Sequence, residues 1–330
     1  LIRKQKMRPQ YHITAGGMTA DSSSLTTSGL PVALCVDLRL NQLNTAVIRL
    51  GLVPSDTVKV GDDVEIKVGA ERAETVFSGI VSELQVQAGE YVIRAVSAMQ
   101  MLTRMRVDKV YAEEKAGDIV RDLAGIADVG TGSIESGLTY PFYAVGADRH
   151  LLDHVLVLGR RDGFDAYADA SDKLVFAAWS AALLPVELRY GAEVLDFHSE
   201  TETGRVDGVE VYGESPASLG EGDKAYSWLT KSEVKGNAGS GSGNVLRVAD
   251  PSIRNQDAAG SAAEKLLAAM QTETSGWVHA LGNAALTLGG TLKLSDVPEG
   301  GPSGNLKITG VRHRLDKVKG FVTTVFWTGE

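Results

Sequence analysis

The stretch Val32-Ala33-Leu34-Cys35-Val36-Asp37-Leu38-Arg39-Leu40 puts Val32, Leu34, Val36, Leu38 and Leu40 on one side of an extended chain and Asp37 and Arg39 on the other. Side chains alternate between faces along a strand, so this period of two reads as a half-buried strand. The pattern continues outward. Gly61-Asp62 introduces Val64, Ile66 and Val68, which alternate with Asp63, Glu65 and Lys67, and residues 76–86 and 91–96 extend the series across the turn Ala88-Gly89. Short strands joined by turns, with no helices between them, predict an antiparallel sheet or barrel.

Near Met99 the period changes. Residues 117–127 place Ile119, Val120, Leu123, Ala124 and Ala127 on one helical stripe. After a loop rich in Gly, Thr and Ser, Asp148 is the expected N-cap of a second amphipathic helix, which carries Leu151, Leu152, Val155 and Leu158 inward and ends by Gly163. Residues 164–168, a turn at 169–172 and residues 174–176 then form an expected hairpin. Strand signals return at 194–197 and 206–212, before an interruption over 214–244 that contains Gly236-Asn237-Ala238-Gly239-Ser240-Gly241-Ser242-Gly243. That run offers too little apolar surface to order itself and is read as a flexible loop. A helix over 257–272, with Ala259, Ala263, Leu266, Leu267 and Met270 on one side, precedes strands at 277–281, 291–294, 306–313 and 321–327. The expected organisation is an N-terminal arm (1–31), a first β unit (32–105), an α+β insertion (106–187) and a second β unit (188–330).

A chain of 330 residues with 43% hydrophobic content can bury a sizeable core. Its formal net charge of -9 argues against nucleic acid or an anionic membrane as the main partner, because both call for clustered positive charge. The basic leader Arg3, Lys4, Lys6 and Arg8 is read first as a solvated tail, then as an arm reaching an acidic neighbouring subunit. No apolar segment follows it as a signal peptide would require, and no run is long enough to span a bilayer, so synthesis and assembly are expected in the cytoplasm. The single cysteine, Cys35, cannot form an internal disulfide and is read as a small buried hydrophobe.

Several segments, in order, resemble one family. Phe77-Ser78-Gly79-Ile80-Val81 is similar to its Phe-x-Gly-x-Val strand, and residues 91–102 to the strand after it. Val110-Tyr111 with Gly117-Asp118-Ile119-Val120 is similar to a family tyrosine followed by the first helix. In residues 148–176 a helix with Leu151 and Leu152 runs into Gly159-Arg160-Arg161-Asp162-Gly163-Phe164 and on through a hairpin to Lys173-Leu174-Val175-Phe176. Residues 289–294, 304–308, 311–315 and 320–324 complete the match. Together they resemble the late-control D protein and VgrG-type hub family of phage tails, pyocins, type VI secretion and extracellular contractile injection systems. The departures are the Gly/Ser-rich loop and the lack of a spike segment after Trp327, which leaves the spike on a separate chain or outside this sequence.

The resemblance implies a mainly β fold, with two similar antiparallel β-barrels flanking a small α+β domain. It also implies a homotrimer whose six barrels form a pseudo-six-fold ring. Such a hub joins the hexameric inner tube, or a tube initiator, to a trimeric spike among other baseplate proteins. It is assembled in the bacterial cytoplasm and becomes part of the tail or the released particle. The implied role is structural, with no cofactor, no nucleic-acid partner and no direct membrane insertion.

Four chemical signals stand beside this resemblance. His150 and His154 share a helical face at metal-binding spacing, but no glutamate follows the first and no third ligand can be assigned, so a solvated or subunit-facing helix is preferred. The Gly239–Gly243 run lacks a P-loop lysine, no Gly-x-Ser-x-Gly elbow occurs, and Cys35 has no assignable base. The pairs Asp162 with Asp165 and Asp169 with Asp172 would suit glycoside hydrolysis, which defines the rival reading of a tail-associated peptidoglycan-binding or cell-wall-hydrolysing module. Their hairpin setting favours turn chemistry instead. Trp179, Trp228, Trp277 and Trp327 are read as core or interface anchors before a sugar platform. The expected set of catalytic, cofactor and metal residues is therefore empty.

Overall fold

The computed structural model describes residues 9–23, 31–51, 57–87, 89–213, 234–271, 273–299 and 301–329. The basic leader, Trp228 and residues 214–233 of the expected loop lie outside them. The first third supplies strands β1 (Gln10–Ala15), β2 (Met18–Asp21), β3 (Pro31–Arg39), β4 (Thr45–Leu50), β5 (Asp63–Gly69), β6 (Glu74–Gln87) and β7 (Glu90–Val96). The middle third supplies α1 (Gln100–Arg104), β8 (Lys109–Lys115), α2 (Ala116–Ile126), β9 (Thr131–Ile134), β10 (Thr139–Val145), α3 (Leu151–Asp162), β11 (Asp165–Ala168) and β12 (Leu174–Ala177). The last third supplies β13 (Val186–Arg189), β14 (Val194–Glu202), β15 (Gly208–Tyr212), β16 (Lys235–Gly239), β17 (Val245–Ala249), α4 (Gln256–Ala268), β18 (Glu273–Leu281), β19 (Thr291–Ser295), β20 (Leu306–Asp316) and β21 (Gly320–Gly329).

The alternation that opens the sequence is realised directly. Leu34, Val36 and Leu38 of β3 are buried, as are Val64, Ile66 and Val68 of β5, and removing each from water contributes about 2 kcal/mol. These strands belong to a 13-stranded sheet with the order β14-β18-β21-β20-β3-β4-β7-β6-β5-β1-β2, with β19 and β13 branching from β20. The two β units read from the sequence are thus joined: β3 pairs antiparallel with β20, setting Val36 opposite His313 and Asp37 opposite Arg312. One hydrophobic cluster runs beneath both halves, from Ile13 to Trp327. The pairing satisfies a row of backbone donors and acceptors that two separate open sheets would leave exposed.

Three expectations are corrected. The presumed arm is part of the sheet over residues 10–21, because Ile13, Ala15, Met18 and Ala20 are fully buried and β1 pairs with β5. The Gly/Ser-rich run is not a loop over its first part. Residues 235–239 form β16, the antiparallel partner of β15, which pairs in parallel with β17 on its other side. With α4 these strands enclose a small core of Val209, Val211, Ile253, Ala259, Ala262, Ala263 and Leu267. Gly236 is there because a Cβ would meet the backbone of Ala259 in α4 at 2.1 Å. Finally, α3 begins two residues later than Asp148 predicts: His150 occupies the cap position, without a side-chain cap bond. The C-terminal end is as read, with Gly163 in the left-handed conformation at φ 70°.

The insertion has its own core, in which α2 contributes Ile119, Val120 and Leu123 and α3 contributes Leu151, Val155 and Leu158 around Phe176 of β12. The expected hairpin is β11–β12, extended by parallel pairing of β12 with β9.

Candidate functional site at the hairpin clasp

The polar side chains that the fold gathers are concentrated where the insertion meets the sheet. Asn41 lies in the turn just after β3, at φ 59°, a conformation asparagine tolerates well. Its backbone N–H donates to Ala166 O at 2.9 Å, its Oδ1 accepts from Ala166 N at 2.9 Å, and its Nδ2 donates to Asp165 Oδ1 at 3.0 Å. One residue thereby acts as a strand partner for β11. Asn44, only 2% exposed, donates to Ala168 O at 2.8 Å and accepts from Arg39 N at 3.0 Å. Ser78 of β6 donates to Ala170 O at 2.9 Å, and Lys307 of β20 pairs with Asp165 Oδ2 at 2.6 Å. The Ala98 amide donates to both oxygens of Asp172, at 2.8 and 3.0 Å. The hairpin is clasped by residues from both halves of the sheet.

This geometry shows what each hairpin carboxylate does. Asp169 Oδ1 accepts from the amides of Ser171 and Lys173, which is turn chemistry. Asp172, at φ 61°, faces the sheet, and burial pushes its carboxyl up to about 7 despite the Ala98 amide. Asp162 points the other way, accepting from Leu138 N and, at 3.4 Å, from the Tyr140 hydroxyl. Burial raises it to about 6. Asp162 and Asp165 therefore serve different contacts and do not face a common cleft as a hydrolytic pair would.

A second junction lies at the C-terminal end of α3. The Arg161 guanidinium sits over the rings of Tyr140 and Tyr143, 5.6 and 5.5 Å from their centres, pairs with Asp250 and donates to Ser252 Oγ at 2.9 Å. It joins the insertion to the β15–β17 unit. The two histidines of α3 have separate local partners. His154 is buried, with Nδ1 3.2 Å from the Tyr143 hydroxyl and Nε2 3.4 Å from Gly146 O. His150 Nδ1 lies 3.0 Å from Asp153 Oδ2 without hydrogen-bond alignment. Among the described residues, no group of three or more His, Cys, Asp or Glu is placed to hold a metal ion. Cys35 lies half-buried on the outer face of β3, a correction to its reading as buried, because it occupies the polar phase of the alternation. Trp327 is buried in the main core, and Trp277 stacks on His198 at 6.1 Å. Asn41, Asn44 and Asp250 were not singled out from sequence, and Ser78, Arg161 and Lys307 stood there only as members of motif segments, without a role. An Asn at each end of the short link between β3 and β4 was the one local signal available.

Solved structures share this architecture. The tail protein of Neisseria meningitidis MC58 superimposes with a TM-score of 0.74 at 13% identity, over 98% of this chain and 97% of that one. The 43 kDa tail protein of prophage MuSo2 from Shewanella oneidensis gives 0.68 at 12% identity, over 97% and 98%. The Escherichia coli c3393 protein, described as a type VI secretion component with structural similarity to bacteriophage T4 tail proteins gp27 and gp5, gives 0.55 at 13%, over 92% and 74%. No curated protein sequence matches the chain. The fold is that of tail proteins, a β scaffold whose polar chemistry fastens one part to another. Residues 45–318 match the phage tail baseplate hub family (GPD), and the chain belongs to that family. Among the described residues no helix is long and apolar enough to cross a membrane.

Proposed function

We propose that this chain is the central hub of a contractile tail or injection machine, a homotrimer that adapts a six-fold inner tube to a three-fold spike. The supporting observation is the division of one continuous sheet into two β halves on either side of the β3–β20 pairing. Two comparable β units per chain, taken as two barrels, give a three-chain ring six similar positions, and matched repeats are what a closed contact with a hexamer needs. Among the described residues, β14 and β2 end the main path of the sheet and β13 ends its branch, and open strands of this kind are suited to pairing with a neighbouring chain. Tube or tube-initiator proteins on one face, the spike on the other and further baseplate proteins around the rim are the partners of this reading. Assembly takes place in the bacterial cytoplasm, and the role is mechanical rather than catalytic.

Sedimentation of the purified protein, alone and with its spike and tube proteins, tests the reading. A three-chain species that captures both is expected. A persistent monomer that binds neither overturns it.

A further inference from the structure

The turn between β5 and β6 faces the chain that follows β18 across an open groove of about 450 Å³. One wall therefore belongs to the first half of the sheet and the other to the second. Leu281 is 44% exposed there, and Ala70, Ala284 and Ala285 add further apolar surface. The rim is acidic: Glu71, Glu74 and Glu193 set three carboxylates against one guanidinium, Arg72. Among the described residues, Glu71, Arg72 and Glu74 take part in no ion pair, and Glu193 only accepts from Arg189 N at 3.0 Å.

A segment of opposite charge enters beside this groove. β1 runs antiparallel to β5 with Gln10 opposite Gly69, so the chain running back from Gln10 leaves the sheet at the groove's lip. Residues 1–8, which precede the first described residue, carry Arg3, Lys4, Lys6 and Arg8, no carboxylate, and the apolar side chains of Ile2 and Met7. The stretch from Pro9 back to Arg3 can span roughly 20 Å at about 3.4 Å per residue, well beyond the width of a hollow of this volume. Cations tethered this close to unpaired carboxylates are attracted to them. The hollow on the other side of β1, lined by Pro9, Asp316 and Lys317, is a poorer match, because its one carboxylate sits beside a lysine and already accepts from the amides of Val318 and Lys319.

We propose that the basic leader of the same chain docks in this groove as a strap, its cations on Glu71, Glu74 and Glu193 and its apolar side chains against Leu281 and Ala284. The strap fastens the first half of the sheet to the second at a place other than the β3–β20 pairing. Its ion pairs are open to solvent, so salt weakens it.

A carbodiimide, which joins a carboxylate directly to a lysine amine, tests this in the full chain, with ¹⁴N- and ¹⁵N-labelled protein mixed beforehand. Mass spectrometry is expected to find Lys4 or Lys6 joined to Glu71, Glu74 or Glu193 in peptides of a single isotope, and to lose those products at high salt. Trypsin gives a second readout. In the double variant Glu71→Gln, Glu74→Gln, cleavage after Lys4 and Lys6 should run about fourfold faster, the effect of two exposed ion pairs. Glu200→Gln with Glu202→Gln, an equal change of net charge on β14, should leave the rate as it is. Products joined instead to Asp316 place the leader in the other hollow, and products of mixed isotope place it in the groove of a second copy; either overturns the proposal. So does the absence of leader products, a cleavage rate unmoved by the Glu71 and Glu74 changes, or an equal rise in the Glu200 and Glu202 variant.

Discussion

The insertion is attached to the rest of the molecule twice, and the two attachments distribute their bonds differently: many contacts at the hairpin, one arginine at the end of α3. Toward the sheet, amides and hydroxyls meet backbone carbonyls and amides, with Asn41 and Asn44 standing in for a strand and the Lys307–Asp165 ion pair and the Asp172 carboxylate beside them. Toward the β15–β17 unit, one guanidinium between two tyrosine rings meets one carboxylate. Many neutral hydrogen bonds to the backbone fix a geometry, and each contributes about 1 kcal/mol net. A single buried ion pair concentrates its effect in one place, and breaking it strands a charge. The clasp should therefore hold the insertion in register with the sheet and weaken gradually, whereas the arginine latch should fail all at once.

The largest effect that separates the two is expected from Arg161→Met. It leaves Asp250 without its cation and should cost about 3 kcal/mol, the low end for a broken buried pair, because Asp250 keeps bonds from Ser252. Hydrogen exchange should show the loss in β15–β17 and α4, with β11 unchanged. Asn44→Ala should cost about 2 kcal/mol through two buried backbone groups left unpaired, seen as a lower denaturation midpoint at constant m-value and faster exchange in β11. Gly163→Ala, which forces a left-handed φ on a residue with a Cβ, should cost about 1 kcal/mol and loosen both attachments together, since Gly163 links α3 to the hairpin.

The smallest effect concerns pH. The folded-state pKa of Asp172 is raised from 3.8 to about 7. Its contribution therefore favours folding at low pH and is lost as pH climbs from about 4 to about 7. His313 is lowered from 6.5 to about 4, so its contribution is full above 6.5 and is lost as pH falls toward 4. Asp172→Asn keeps an acceptor for Ala98 and suits the φ of 61°. It should raise stability at pH 7.5 by less than about 1 kcal/mol, because the carboxylate is partly solvated and screened. Melting curves from pH 4.5 to 8 should lose the Asp172 slope and keep that of His313.

Much of this was legible in the order of residues, for identifiable reasons. In β3 and β5 large aliphatics alternate with charges, so a period of two stands out. In α2 and α3 the apolar stripe has helical spacing, and Gly163 marks the end. β1 and β2 escaped notice because Gly16-Gly17 splits the short alternation of Ile13, Ala15, Met18 and Ala20, and β5, whose pairing buries them, lies about fifty positions on. β16 was misread because glycine signals freedom when read alone, yet Gly236 supplies clearance for a helix. The clasp was unreadable in detail: Asn44 and Ala168 are 124 positions apart, and nothing local specifies that partnership.

The β3–β20 seam has a consequence for how the molecule is made. Asp37 and Arg312, which face each other across it, are 275 positions apart, so a growing polypeptide leaving the ribosome exposes the rim of its early strands until β20 has emerged. Such distant closure makes for slow maturation and a long window in which that rim can adhere to another unfinished copy. Translation speed between β3 and β20, or a chaperone resting on β3, would then govern how much usable protein a cell obtains.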